Sequence, residues 1–145
     1  MKLLIQRVKK ASVSIEGKLF SSIDQGLLVL VGLTHTDTKE TAQTLAKKLV
    51  ALRLFSDDKK PINASIADVN GSFLLVSQFT LYGNTKKGNR PSFVDAMAPD
   101  LARPLFDEFV AMVKTAWPRV ETGKFGELME VSLINDGPTT IELRL

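Results

Sequence analysis

Residues 26–33 read GLLVLVGL, with no polar side chain at any position. A strand that faces water on one side alternates apolar with polar residues. One that is apolar on both faces must be covered twice and so lies in the interior of a sheet. Phe73-Leu74-Leu75-Val76 opens a second buried strand, expected over 72–81. Around these, residues 2–8 and 11–16 read as two half-buried strands, Val13 and Ile15 alternating with Ser12, Ser14 and Glu16. Glu16-Gly17-Lys18 is a turn into a short return strand at 19–23.

Helical periodicity appears twice. Ala42, Leu45, Ala46, Leu49 and Leu52 predict an amphipathic helix over 38–52, with Asp37 as N-cap and Glu40 completing a capping box. Leu101, Leu105, Phe106, Phe109, Val110 and Val113 predict a second helix from Pro99 to about Lys114. Pro104 threatens its first turn, and Trp117-Pro118 ends it. Arg53-Leu54-Phe55 suggests a short strand, 56–61 a loop, and 65–69 one helical turn. Residues 127–134 and 139–145 suggest two closing strands joined by a tight turn at Asn135-Asp136-Gly137-Pro138. Hairpins outnumber strand–helix alternations, so the expectation is one mixed α/β domain over 1–145, not a doubly wound sheet.

Composition narrows the chemistry. The 145 residues include no cysteine and a single histidine, His35. Disulfides, thiol catalysis and iron–sulfur clusters are thereby excluded, and the usual transition-metal sites lack their ligands. Asp57-Asp58 read as solvated loop charges, a poor cation site, and His35 as a loop residue ahead of a helix. No apolar run approaches the roughly 20 residues that span a bilayer, and MKLLIQRVKK is too soon charged for a signal peptide. The expectation is a cytoplasmic protein with neither membrane partner nor cofactor. The net charge of +3 permits a polyanionic partner without requiring one.

Two places break the pattern. Ser77-Gln78-Phe79-Thr80 ends a core strand in two hydroxyls and an amide. Either these groups satisfy neighbouring backbone, or they form a polar cradle in which unpaired N–H groups meet a carbonyl that becomes an oxyanion. Asn135-Asp136-Gly137-Pro138 is either a plain turn or a site for a cis Gly137–Pro138 bond. Between them, 83–98 is a long loop, rich in glycine and asparagine, that carries Lys86, Lys87 and Arg90. Loops of that length in a compact domain are commonly functional or disordered.

The quartet Ser77-Gln78-Phe79-Thr80, the following Gly88-Asn89-Arg90-Pro91-Ser92-Phe93, and Asn135-Asp136-Gly137-Pro138 with Thr140 resemble the bacterial and eukaryotic type of D-aminoacyl-tRNA deacylase. The similarity extends to Ile5-Gln6-Arg7-Val8 and Gly26-Leu27-Leu28-Val29, and so over the full chain. It implies two packed, mostly antiparallel β-sheets, barrel-like, with two long helices on one side. It implies a homodimer with active sites at the subunit interface, and hydrolysis of the ester between a D-amino acid and the 3′ terminal adenosine of tRNA. Carried onto this sequence, Ser77, Gln78, Phe79 and Thr80 lie at the scissile ester. Gly137 and Pro138, joined by a cis bond, reach into the partner's site, with Asn135 beside them and Arg7 holding the loop. Thr139 departs from the pattern, which is commonly apolar there; its β-branched side chain fills similar space.

The chemistry is consistent with so few strong bases. An aminoacyl ester is already activated, so positioning and oxyanion donors suffice, one such donor being worth roughly 10²–10³ in rate. The resemblance implies the Phe79 N–H as that donor. Thr80 has no activating base nearby in sequence, so the attacking group is expected to be water, assisted by the ribose 2′-hydroxyl. Rejection of L substrates would be steric, so glycyl-tRNA should also be cleaved. Two rival readings remain: a non-catalytic RNA-binding module using Lys86, Lys87 and Arg90, and a structural β-domain dimerising through 135–145.

Overall fold

A computed structural model describes residues 1–145, and in it the two amino-terminal strands expected from the sequence are one. Strand β1 runs Lys2–Ile15. Its first half pairs antiparallel with β3 (Gly26–Gly32), from Lys2 opposite Gly32 to Val8 opposite Gly26. Its second half pairs with β2 (Lys18–Ile23). The inward positions explain the bend between the halves. Leu3 and Ile5 are buried, then Val8, then Ala11 and Val13. The alternation thus slips between Ile5 and Val8, at the half-buried Gln6 and Arg7, and again at Lys9 and Lys10, which are both exposed. A one-residue slip sends side chains to the opposite face, and register shifts on either side of Val8 absorb it.

The first of these slips divides the core. Leu3 and Ile5 join Leu27, Val29, Val31, Phe73 and Leu75 under the helices. Val8, Ala11 and Val13 join Leu28, Leu74 and Val76 on the other face. Strands β3 and β6 (Ser72–Ser77) are apolar on both faces because both faces are covered. They run parallel, Gly26 opposite Ser72 and Val31 opposite Ser77. β7 (Val120–Thr122) continues the sheet parallel to β6. The path is β2-β1-β3-β6-β7, and its two ends meet where the Ser21 hydroxyl of β2 donates to the Thr122 carbonyl at 2.8 Å. The result is a nearly closed, mixed barrel-like sheet. A second sheet is small, formed by β4 (Arg53–Phe55) and β5 (Ala64–Ser65).

Helices α1 (Lys39–Val50) and α2 (Pro99–Ala116) cover the first face with Ala42, Leu45, Ala46 and Leu49 from one and Ala102, Phe106, Phe109 and Val113 from the other. The N-cap of α1 is Thr38, boxed with Thr41, and not Asp37. Asp37 instead accepts from Thr34 N–H at 2.7 Å and from the Met1 ammonium, so its carboxylate is already engaged. Pro104 is accommodated within α2, and the helix starts at Pro99 as expected, because proline at the first helical position removes a donor that has no partner there.

The closing strands are also one. β8 runs Glu130–Arg144 and pairs antiparallel along the whole of β1, on the side away from β2 and β3. Residues 135–138 are therefore no hairpin turn: the chain keeps its direction through them, and the irregularity is a bulge opposite Arg7. Residues 66–70 form turns, not a helical turn. No helix is long and apolar enough to cross a membrane.

Candidate active site

Strand β6 ends sooner than expected. After Ser77, the Gln78 N–H still donates to the Val31 carbonyl at 2.7 Å, but Phe79–Tyr82 then wind into a 3₁₀ turn. Two neighbours pin this turn. Gly32, at the end of β3, lies so close that a Cβ there would sit 3.0 Å from Leu81 Cβ and 3.2 Å from the Gln78 carbonyl. From the other side, Lys2 Nζ donates to the Leu81 carbonyl at 3.1 Å and lies 4.6 Å from the centre of the Tyr82 ring. Partial burial, with Asp37 and Glu142 nearby, pushes the Tyr82 phenol up to about 12. Nothing in the sequence singled out Lys2, since one lysine beside a strand start is an ordinary surface residue.

The first N–H groups of a helical turn have no acceptor within it. Those of Phe79 and Thr80 occupy that place, and neither donates to a loop or turn carbonyl. Gln78 Nε2 donates to Thr80 Oγ1 at 2.5 Å, so the hydroxyl is held by an amide, with no base beside it. His35 Nε2 is engaged at 2.7 Å with the Val94 carbonyl. No group of three or more carboxylates or imidazoles is arranged to hold a metal ion.

Ser77, Gln78 and Phe79 line a cleft of about 740 Å³, most of whose other walls are apolar. Phe93, Met97, Phe125 and Met129 are among them, a set assembled from two separate stretches that sequence reading did not connect. Phe93 meets Phe79 edge-on, with ring centroids 5.1 Å apart. The loop that carries Phe93 is tied down at its second half. Met97 N–H donates to the Leu33 carbonyl at 2.9 Å, and Thr34 Oγ1 to the Asp95 carbonyl at 2.5 Å. Its first half closes on itself through reciprocal bonds between Asn84 and Ser92, of 2.8 and 2.9 Å. Lys86, Lys87 and Arg90 stand on that lobe, all exposed and none paired with a carboxylate.

The second motif lies elsewhere. The Gly137–Pro138 bond is cis, and both residues are exposed on β8. Asn135 clasps the step: its Oδ1 accepts from Thr139 N–H at 2.7 Å and its Nδ2 donates to Thr140 Oγ1 at 3.2 Å. Arg7 Nε donates to the Asp136 carbonyl at 3.0 Å, and the Asp136 carboxylate is 3.6 Å away. Gly137 has φ +143°, where only glycine is at ease. None of Arg7, Asn135, Gly137 or Pro138 lines the cleft. The nearest cleft residue on the same strand, Val131, is six positions from Gly137, or roughly 20 Å along an extended chain. Within one chain, the quartet and the Gly-Pro step are thus held in separate places.

The chain has many relatives. Residues 4–144 match the family model for D-Tyr-tRNA(Tyr) deacylase. A D-aminoacyl-tRNA deacylase of Exiguobacterium sibiricum is 50% identical over 143 residues, 99% of each chain. One of Bacillus licheniformis is 54% identical over 140 residues, 97% of this chain and 95% of its own. A solved structure named "c-Myc DNA Unwinding Element Binding Protein" superposes with a TM-score of 0.94 at 36% identity, covering 100% of this chain and 99% of that one. A second, from a probable eukaryotic D-amino acid tRNA deacylase, has a TM-score of 0.82 at 19% identity, covering 98% of each chain, a likeness of fold. With half its residues shared over nearly its whole length, and with a pinned main-chain turn opening on an apolar cleft, this chain belongs to the D-aminoacyl-tRNA deacylase family.

Proposed function

We propose that this chain hydrolyses the ester of D-aminoacyl-tRNA and of glycyl-tRNA, releases the amino acid and free tRNA, and spares L-aminoacyl-tRNA. The observation that carries this reading is the turn on the rim of the apolar cleft, whose leading N–H groups, at Phe79 and Thr80, donate to no loop or turn carbonyl. An ester carbonyl seated there places its developing oxyanion against the Phe79 N–H, held rigid by Gly32 and Lys2 behind it. The acyl carbon is attacked by water, with the ribose 2′-hydroxyl helping to move the proton. The carbon–oxygen bond to the 3′-oxygen then breaks, and that oxygen leaves with a proton. Thr80, held by Gln78, positions substrate and does not attack it. The terminal adenosine takes the apolar cleft, and Lys86, Lys87 and Arg90 meet the phosphates behind it.

Handedness is assigned to a second copy of the chain. The Gly137–Pro138 step does not line the cleft of its own chain, and β8 pairs with β1 alone. β8 carries Leu133 and Ile134, apolar residues that are 37% and 47% exposed. A homodimer that covers this edge would deliver the step of one subunit to the quartet of the other. The Gly137 and Pro138 carbonyls would accept the substrate's α-amino group and leave no room for an L side chain, while glycine has none to exclude. The setting for such a reaction is the cytoplasm, where aminoacyl-tRNA is used.

The test is deacylation of D-Tyr-, L-Tyr- and Gly-tRNA by the wild type, by Thr80→Ala, by Gly137→Ala, and by a mixture of the two variants after subunit exchange. D-Tyr- and Gly-tRNA should be cleaved and L-Tyr-tRNA spared. Each variant alone should be nearly inactive, and the mixture should regain activity, because one of the two sites in a mixed dimer is then intact. Cleavage of L-Tyr-tRNA at the D-Tyr rate, or no recovery in the mixture, overturns the shared-site reading.

A further inference from the structure

Arg7 reaches beyond the Gly-Pro step. While its Nε donates to the Asp136 carbonyl at 3.0 Å, its Nη1 donates to the Leu54 carbonyl at 2.5 Å and to the Pro61 carbonyl at 3.4 Å. The side chain is only 12% exposed, so water competes weakly for these bonds. A guanidinium is planar, and fixing one nitrogen on two carbonyls fixes the direction in which the others point. The β4–β5 hairpin thus acts as the abutment against which Arg7 holds the Gly-Pro step.

The hairpin does not hold its own loop by strand pairing. β4 and β5 pair only at Arg53 opposite Ser65 and Phe55 opposite Ala64. Asp57, expected from the sequence to be a solvated loop charge, organises what lies between. Its Oδ1 accepts from Lys59 N–H at 2.9 Å and Lys60 N–H at 2.7 Å, and its Oδ2 accepts from the Asn63 amide. Asp57 N–H donates back to the Lys60 carbonyl at 3.0 Å. The Asn63 side-chain oxygen accepts from Arg53 Nη2 at 2.6 Å, and Asn63 N–H donates to the Phe55 carbonyl at 2.8 Å. Pro61, which has no N–H, is carried between these anchors with its carbonyl turned to Arg7.

We propose that Asp57 and Asn63 are positioning residues for the Gly137–Pro138 step, setting its place through the Pro61 and Leu54 carbonyls and the Arg7 guanidinium. They touch no substrate. The catalytic part of this proposal rests on the reading that the step enters the active site.

The experiment is a double-mutant cycle of Asp57→Ala and Arg7→Met, read by single-turnover hydrolysis of D-Tyr-tRNA and by amide hydrogen exchange at residues 135–140. Misplacement of a positioning group by about 1 Å costs up to roughly 10²-fold in rate. One link removed from the abutment should therefore lower kcat roughly 3- to 10-fold with KM unchanged. Asp57→Asn, which keeps one carbonyl acceptor for the loop N–H groups, should recover part of the loss. In the Arg7→Met background, Asp57→Ala should cost nothing further, because the route is already cut. Exchange at 135–140 should quicken in Asp57→Ala while α2 stays protected. Multiplicative losses in the double variant overturn the proposal, as does unchanged exchange at 135–140. If the wild type proves inactive on every aminoacyl-tRNA, the functional reading falls, and the exchange measurement still decides whether the loop controls the step.

Discussion

Replacing Gly137 by alanine tests the Gly-Pro element at its least tolerant point. At φ +143° a residue with a side chain is strained by roughly 1–3 kcal/mol. The new Cβ would also sit 2.8 Å from Thr139 N and 3.3 Å from Arg7 Nη2, besides overlapping Thr139 Oγ1. Crowding of that kind typically costs another 1–3 kcal/mol, or about the same. Neither neighbour is free to give way. Thr139 N–H is bonded to Asn135 Oδ1 at 2.7 Å, and Arg7 is held by the Asp136, Leu54 and Pro61 carbonyls. The step itself is exposed, however, and the ladder to β1 resumes on both sides of it. The chain can therefore relieve the clash by shifting the step and giving up the Asn135 bond, worth about 1 kcal/mol. The net loss of stability should be about 2 kcal/mol, a fall in Tm of roughly 4–8 °C at this chain length. The displaced step should lower kcat/KM for D-Tyr-tRNA by roughly 10²-fold. Calorimetry and single-turnover deacylation measure the two effects. Wild-type Tm and wild-type turnover together would refute the argument that this position requires glycine.

Three further outcomes follow from the same geometry. Replacing Lys86, Lys87 and Arg90 by glutamine should weaken tRNA binding and reduce the slope of log K against log salt by roughly 0.7 for each phosphate no longer neutralised; filter binding across a salt series reads it, and an unchanged slope removes the lobe from the interface. Lys2→Met should lower kcat for D-Tyr-tRNA several-fold with little change in fold, because it frees the Leu81 carbonyl behind the oxyanion donor, and Lys2→Arg should recover part of it; equal activity in Lys2→Met would show that Gly32 and Val31 alone hold the turn. The Tyr82 phenol is raised from 10.0 to about 12 in the folded chain. The folded state therefore binds the proton more tightly than the unfolded one. Its contribution to stability is complete below pH 10 and is lost as pH rises toward 12. Across that window the denaturation midpoint of the wild type should fall more steeply with pH than that of Tyr82→Phe, and parallel curves would remove the phenol as the cause.

The parts that local pattern controls were legible in the chain itself. GLLVLVGL and FLLV each place apolar residues on successive positions, which a strand can satisfy only when covered on both faces, and β3 and β6 are so covered. The helices showed in their 3.6-residue spacing, because their buried face is written in consecutive turns. The functional segments, Ser77–Thr80 and Asn135–Pro138, stood out as polar interruptions of apolar text. Tertiary structure decided the rest. Only pairing with β1 made residues 130–144 one strand, since Asn, Asp, Gly and Pro favour a turn locally while the ladder on either side keeps the direction of the chain. The packing of Leu81 and Tyr82 against Gly32 made a 3₁₀ turn where sequence alone continued a strand. Asp37 and Asp57 took their roles from partners distant in the chain or in the turn: Asp37 from the Met1 nitrogen and Asp57 from the Asn63 amide. A residue's neighbours a few positions away set its propensity, but a hydrogen bond or a close approach depends on which surfaces the folded chain brings together, and no local pattern records that.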